Sequence, residues 1–139
     1  MFFKKNKNKN ENEIDDLSKV AALLIHAAKI DQNFTEKEEK IIELAILKIG
    51  ANNQNIKIII EKGKTIENDS NQILEFTREV KKMSEKKKFL VVETLWRIIY
   101  SNNEADMYET SLMRRLAGLL YIDNKIMGNI KEKIKKKNL

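Results

Sequence analysis

Two short polar segments lie 71 residues apart in this chain. They contain side chains whose types and spacing could support binding of a ligand or metal ion. In the first segment Asp31 is followed seven residues later by Glu38, and in the second Asn102 is followed seven residues later by Glu109. If these four side chains converge, they supply three carboxylates and one amide oxygen, a ligand set that suits a hard cation such as calcium, magnesium or manganese. Three carboxylates in one place would otherwise repel one another, so convergence would itself indicate a ligand or a salt-bridging partner. We therefore predict a candidate metal site at Asp31, Glu38, Asn102 and Glu109.

The same segments also fit a purely structural role at the start of two helices. Thr35 with Glu38, and Asp106 with Glu109, match a capping box. In that motif the N-cap oxygen accepts from the third amide of the helix and the glutamate reaches back to the N-cap amide. The sequence favours capping over metal binding, and the two roles are compatible. The second segment is the weaker half of a metal site because Asn102 stands where the first has a carboxylate.

Residues for other reaction chemistries are few in this chain. There is no cysteine, which excludes a disulfide, a thiolate zinc site and a catalytic thiol. His26 is the single histidine, so a two-histidine metal site within one chain is excluded. No glycine-rich phosphate loop and no GxSxG or HExxH motif is present. We therefore predict a protein that is not an enzyme, and we interpret His26 as a packed or surface histidine with a satisfied ring nitrogen.

Helical periodicity along the chain places both polar segments between helices. The chain has no proline and four glycines, and its apolar residues recur at intervals of three and four. We predict an all-α fold, a compact bundle of about seven helices with an internal pseudo-twofold repeat. The run 58–60 also fits a buried strand, although no partner strand is visible. The expected helices lie at about residues 14–30, at 36–49, from 56 to near Gly63, after an N-cap at Ser70, after an N-cap at Ser84, around 112–120 and around 126–134.

The net charge of +6 is concentrated at the two ends of the chain. Residues 1–12 carry +3 and residues 131–139 carry +4, whereas the residues between them sum to −1. Lysines outnumber arginines 23 to 4, which disfavours bidentate recognition of bases or phosphates. This distribution argues against a nucleic-acid partner. It leaves a protein partner and weak peripheral contact of the basic ends with an anionic membrane.

The domain prediction follows from the same distribution. We expect a disordered basic tail over residues 1–12, one helical domain over 13–133 and a basic C-terminal tail over 134–139. No segment approaches the ~20 consecutive apolar residues of a membrane span or the apolar run of a signal peptide. We therefore predict a cytoplasmic protein.

Several of these stretches resemble a known family. They are AAKID at residues 27–31, EE at 38–39, LWR at 95–97, YE at 108–109 and LMRRLA at 112–117. Together they resemble the TerB-like family, that of the tellurite-resistance protein TerB, which is related to the N-terminal domain of membrane-anchored DnaJ-like co-chaperones. The resemblance covers about residues 14–133. This chain departs from the family's Ala-Asp-Gly opening of both turns, because it has Ile30-Asp31-Gln32 and Ser101-Asn102-Asn103.

The resemblance implies an all-α fold with pseudo-symmetry, a metal site in the acidic turns, and an association with stress responses and membrane-linked complexes. The family's aspartate-then-glutamate motif falls on Asp31 and Glu38, and its second copy falls on Asn102 and Glu109. The leading hypothesis is a non-enzymatic TerB-like accessory or scaffold protein, linked to the tellurite stress response, that binds a divalent cation through its paired interhelical turns. The alternative is a co-chaperone-type interaction module that docks on an anionic membrane or partner through its lysine-rich tails.

Overall fold

A computed structural model of the chain describes residues 2–30, 34–69, 73–101 and 107–137. Within these ranges the chain forms seven α-helices and no strand, which confirms the all-α prediction. The alternative of a buried strand at 58–60 is wrong, because these residues lie inside the third helix. The helices are α1 (Phe2–Ala28), α2 (Glu36–Ile49), α3 (Ile56–Asp69), α4 (Leu74–Lys81), α5 (Glu85–Tyr100), α6 (Met107–Leu119) and α7 (Asn124–Lys137).

The central element of the bundle is α1. It packs most extensively against α3 and also contacts α2, α4 and α5. From Val20 to Ile25 every side chain of α1 is buried, so this part of the helix is apolar on all sides and surrounded by other helices. On the other side of the bundle, α5 packs against both α2 and α7, while α6 contacts α4 and α7. None of these helices, over the described ranges, is both long and apolar enough to cross a membrane.

The apolar stripes predicted for the later helices face this core. Trp96 is 3% exposed, which confirms that it is a core residue, and its ring stacks on that of Tyr100 with centroids 6.0 Å apart. In α7, Met127 and Ile134 are buried and Ile130 is partly buried, whereas Ile126 is 37% exposed. The predicted isoleucine stripe therefore packs on the protein only in part, mainly on α5.

The first helix begins earlier than the sequence predicted. We expected it to start near residue 14, whereas α1 is helical from Phe2, across the segment predicted to be a disordered tail. Once packing has fixed residues 14–28, each residue added at the N-terminus gains a backbone hydrogen bond without a new nucleation cost. At the other end α7 continues to Lys137, inside the predicted C-terminal tail. The domain boundaries themselves stay predictions.

The third helix continues past Gly63 to Asp69, so the prediction that it ends near this glycine is wrong. A Cβ atom at Gly63 would lie 2.9 Å from the Cβ of Ala21 and 3.2 Å from the carbonyl oxygen of Ser18. The glycine therefore permits a close crossing of α3 and α1.

Two serines were predicted to cap helices, and their outcomes differ. Ser84 caps α5, because its Oγ accepts a hydrogen bond from the Lys87 amide at 3.3 Å. Ser70 lies outside the described residues. The N-cap position of α4 is occupied by Ile73, so the prediction of Ser70 as the cap is wrong.

Candidate functional site

The first acidic turn ends in a capping box at the start of α2. Thr35 has an extended backbone (φ −91°, ψ 163°), and its Oγ1 accepts a hydrogen bond from the Glu38 amide at 3.2 Å. The Glu38 Oε1 in turn accepts from the Thr35 amide at 2.9 Å and from the Thr35 hydroxyl at 3.0 Å. This confirms the predicted capping role of Thr35 and Glu38 and explains how a carboxylate that is 1% exposed is held in place.

The second glutamate of the repeat occupies the equivalent position. Glu109 is the third residue of α6, as Glu38 is the third residue of α2, and it is 6% exposed. Burial raises the pKa of Tyr100, and the negative charges of Glu132 and Glu109 raise it further. The positive end of a helix stabilises a carboxylate in its first turn. Asp106, the predicted capping partner of Glu109, lies outside the described residues.

Of the four predicted metal ligands, the structure describes Glu38 and Glu109. Asp31 and Asn102 lie outside the described residues, so convergence of the four side chains stays a prediction. Within the described ranges no three histidine, aspartate or glutamate side chains lie close enough together to hold a metal ion. The two glutamates fit a hard cation chemically, because carboxylate oxygens are its preferred donors and each carboxylate offers several lone pairs.

A polar network between the buried Glu67 and the end of α1 was not found from the sequence. Glu67 of α3 is 8% exposed, and its Oε2 accepts a hydrogen bond from the Lys29 ammonium at 2.8 Å. Its Oε1 lies 3.4 Å from Nδ1 of His26. His26 is partly exposed, and the contact of its Nδ1 with Glu67 agrees with the prediction of a packed or surface histidine with a satisfied ring nitrogen. The sequence contains no local signal for it, because Glu67 lies 38 and 41 residues from its two partners.

Comparison with known protein families gives a match over most of the helical bundle. A family model described as Tellurite resistance protein TerB matches residues 17–132 of the chain. The match begins inside α1, ends inside α7 and includes both acidic turns. A search of curated proteins and a search of solved structures found no significant match.

Proposed function

Because this chain belongs to the tellurite resistance protein TerB family, we propose that it is a non-enzymatic accessory protein that binds a divalent cation through its two acidic turns. The proposed ligands are Asp31, Glu38, Asn102 and Glu109. The proposed ion is calcium, magnesium or manganese, which oxygen donors of this kind prefer. The link to a tellurite stress response is proposed from family membership.

The observation that supports binding of a cation is that two carboxylates are buried at equivalent positions of two helices. Glu38 and Glu109 are 1% and 6% exposed, and each is the third residue of the helix that follows an acidic turn. Burying a charged carboxylate is costly unless opposite charge or hydrogen bonds offset the loss of hydration. Capping and the helix dipole contribute to offsetting that cost, and a bound cation would add opposite charge at both positions.

A bound ion would also connect distant parts of the chain. The first turn joins α1 to α2 and the second joins α5 to α6. Ligands drawn from both turns would link these two helix pairs, so ion binding should stabilise the whole domain.

The test is a thermal-shift and calorimetry series on the full chain after treatment with a chelator. Calcium, magnesium and manganese are titrated separately, with zinc for comparison. We expect one of the three oxygen-preferring ions to raise Tm in a concentration-dependent way, because a ligand that binds only the folded state adds about 2.7 kcal/mol at a concentration of 100 Kd. Absence of a shift with all of these ions would overturn the proposal.

Two variants separate ligation from capping. In Glu38→Gln the side-chain carbonyl can still accept in the capping box, but the negative charge is lost, so the ion-dependent shift should disappear. In Thr35→Ala the cap is lost and the carboxylate remains. Stability should then fall by about 1 kcal/mol equally with and without the ion. An ion-dependent shift that persists in Glu38→Gln would show that this carboxylate is not a ligand.

A further inference from the structure

A second candidate binding site is a cavity of about 610 Å³ between the end of α1 and one face of α6. The cavity is a cleft that is open to solvent, and its volume lies within the range of roughly 300 to 1,000 Å³ that is typical of small-molecule sites. The α6 residues that line it recur at helical spacing of three and four, so they form a single stripe. The described residues that line the cavity are His26, Ile30, Tyr108, Ser111, Leu112 and Arg115.

The described residues of this lining carry positive charge and no negative charge. None of the described lining residues is acidic, and Arg115 has no ion-pair partner among the described residues. Its guanidinium presents five donors in a planar fork that matches the oxygens of a phosphate. The hydroxyls of Ser111 and Tyr108 add two further donors along the same stripe.

His26 completes the polar side of the cavity. Its Nδ1 faces the Glu67 carboxylate at 3.4 Å, which leaves Nε2 as the ring nitrogen for a ligand. A neutral ring would accept a hydrogen bond at Nε2 from a P–OH group, and a protonated ring would donate one to a phosphate oxygen. A phosphate monoester offers both forms near neutral pH, because its second pKa is about 6. The charge of Glu67 is already balanced by Lys29 at 2.8 Å.

The same two elements also contribute apolar side chains to the cavity. Ile30 is half-buried and Leu112 is buried, while the Tyr108 ring is 76% exposed and therefore accessible for stacking. We propose that this cavity binds a small-molecule phosphate monoester, with Arg115 and His26 on the phosphate and Ile30, Leu112 and Tyr108 against the organic body. The residues of this site differ from the proposed cation ligands, and the proposed ligand is an anion and not a cation. Each proposal can therefore fail without the other.

The test is an amide NMR titration of the full chain in chelator-containing buffer. The probes are adenosine 5′-monophosphate, ribose 5-phosphate, inorganic phosphate and adenosine. We expect at least one of the two monoesters to give saturable shifts around His26 and along α6, with inorganic phosphate shifting the same amides more weakly. Adenosine should bind at least tenfold more weakly than its monophosphate, since charge-assisted hydrogen bonds are lost. Failure of both monoesters, or equal binding of adenosine and its monophosphate, would overturn the proposal.

Neighbouring arginines provide a matched control. Arg114 and Arg115 are both exposed, but only Arg115 lines the cavity. Arg115→Gln should weaken monoester binding roughly tenfold or more, whereas Arg114→Gln should leave it unchanged. An equal loss in both variants would indicate general attraction to positive charge and would overturn the site. Because both side chains are exposed, each variant should retain the fold, which circular dichroism checks.

Discussion

Three glutamates in the described part of this protein are almost completely withdrawn from water, and their surroundings differ. Glu38 accepts from Thr35 within one helical turn, and Glu67 accepts from Lys29 across two helices. Glu109 lies at the start of α6, close enough to Tyr100 to raise the pKa of its phenol. Removing the partner of a buried carboxylate should cost more than removing the same partner at the surface, because the desolvated charge would stay behind.

The carboxylate of Asp16 is expected to lower the stability of the folded protein at neutral pH. Partial burial and the nearby Glu79 carboxylate raise the pKa of Asp16 above its ordinary value of 3.8. Because its pKa is raised in the folded state, Asp16 favours the folded protein only when it is protonated. This contribution to stability is fully present below the pKa of Asp16 in the unfolded chain. It is lost as the pH rises through the pKa of Asp16 in the folded protein. We expect Asp16→Asn to be more stable than the wild type at pH 7, with the difference shrinking towards pH 4. Urea unfolding across that pH range measures it.

Asp15 offers the control for this prediction. Its carboxylate pairs with the Lys62 ammonium at 3.1 Å, and both side chains are about half exposed. Asp15→Asn should therefore lower stability at pH 7 by about 0 to 1 kcal/mol, as for other surface ion pairs. If Asp16→Asn instead destabilises the protein at pH 7, the proposed repulsion between Asp16 and Glu79 is contradicted.

At the scale of elements, the contact between α1 and α3 sets the geometry of the central helix. Gly63 lies where α3 crosses α1, and an added Cβ would lie closer to Ala21 than ordinary packing allows. Ser18, on the same surface of α1, is fully buried and donates its hydroxyl to the Ile14 carbonyl oxygen at 2.6 Å. The crossing therefore depends on small side chains from both helices.

We expect Gly63→Ala to destabilise the protein, because overpacking at this crossing should cost about 1 to 3 kcal/mol. That cost exceeds the gain of about 0.5 to 1 kcal/mol that alanine brings to a helix interior. Gly128→Ala is the matched control, since a Cβ at Gly128 in α7 meets nothing within 4 Å. This control variant should gain stability. The free energy of unfolding in denaturant distinguishes them, and equal stabilisation of both variants would contradict the close crossing.

At the scale of the whole molecule, the fold restricts how the basic ends could dock. The alternative function was an interaction module that docks through lysine-rich tails. At the C-terminal end of α7, Ile134 is only 1% exposed, while Lys135, Lys136 and Lys137 are exposed. Docking through this end would therefore depend on charge and not on insertion of Ile134.

Substitution of these three lysines by glutamine tests that alternative without disturbing Ile134. Binding of the wild type to phosphatidylserine vesicles should weaken with salt, and the triple variant should lose about 1 kcal/mol per lysine. A second triple variant, with glutamine at the exposed Lys40, Lys48 and Lys57, has the same net charge and should retain binding. Equal loss in both variants, or no binding by the wild type, would contradict docking through this end. Co-sedimentation measures all three proteins.

The sequence by itself determined the features that depend on residues within a helical turn of one another. The bounds of α2, its capping box at Thr35 and the cap at Ser84 were predicted correctly, and so was the all-α class. Helical periodicity and capping are local, because they connect residues three or four positions apart. The two glutamates of the candidate cation site were singled out by the repeat of this local motif 71 residues later, and their convergence stays a prediction.

Only the tertiary structure decided the features that connect distant residues. It showed that Gly63 serves a helix crossing, and that Glu67 is paired with Lys29, 38 residues away. It also placed His26 and Arg115 at one cavity, although they belong to α1 and α6. Such pairings depend on how whole helices pack against one another, and many packings are compatible with the same local pattern of apolar and polar residues.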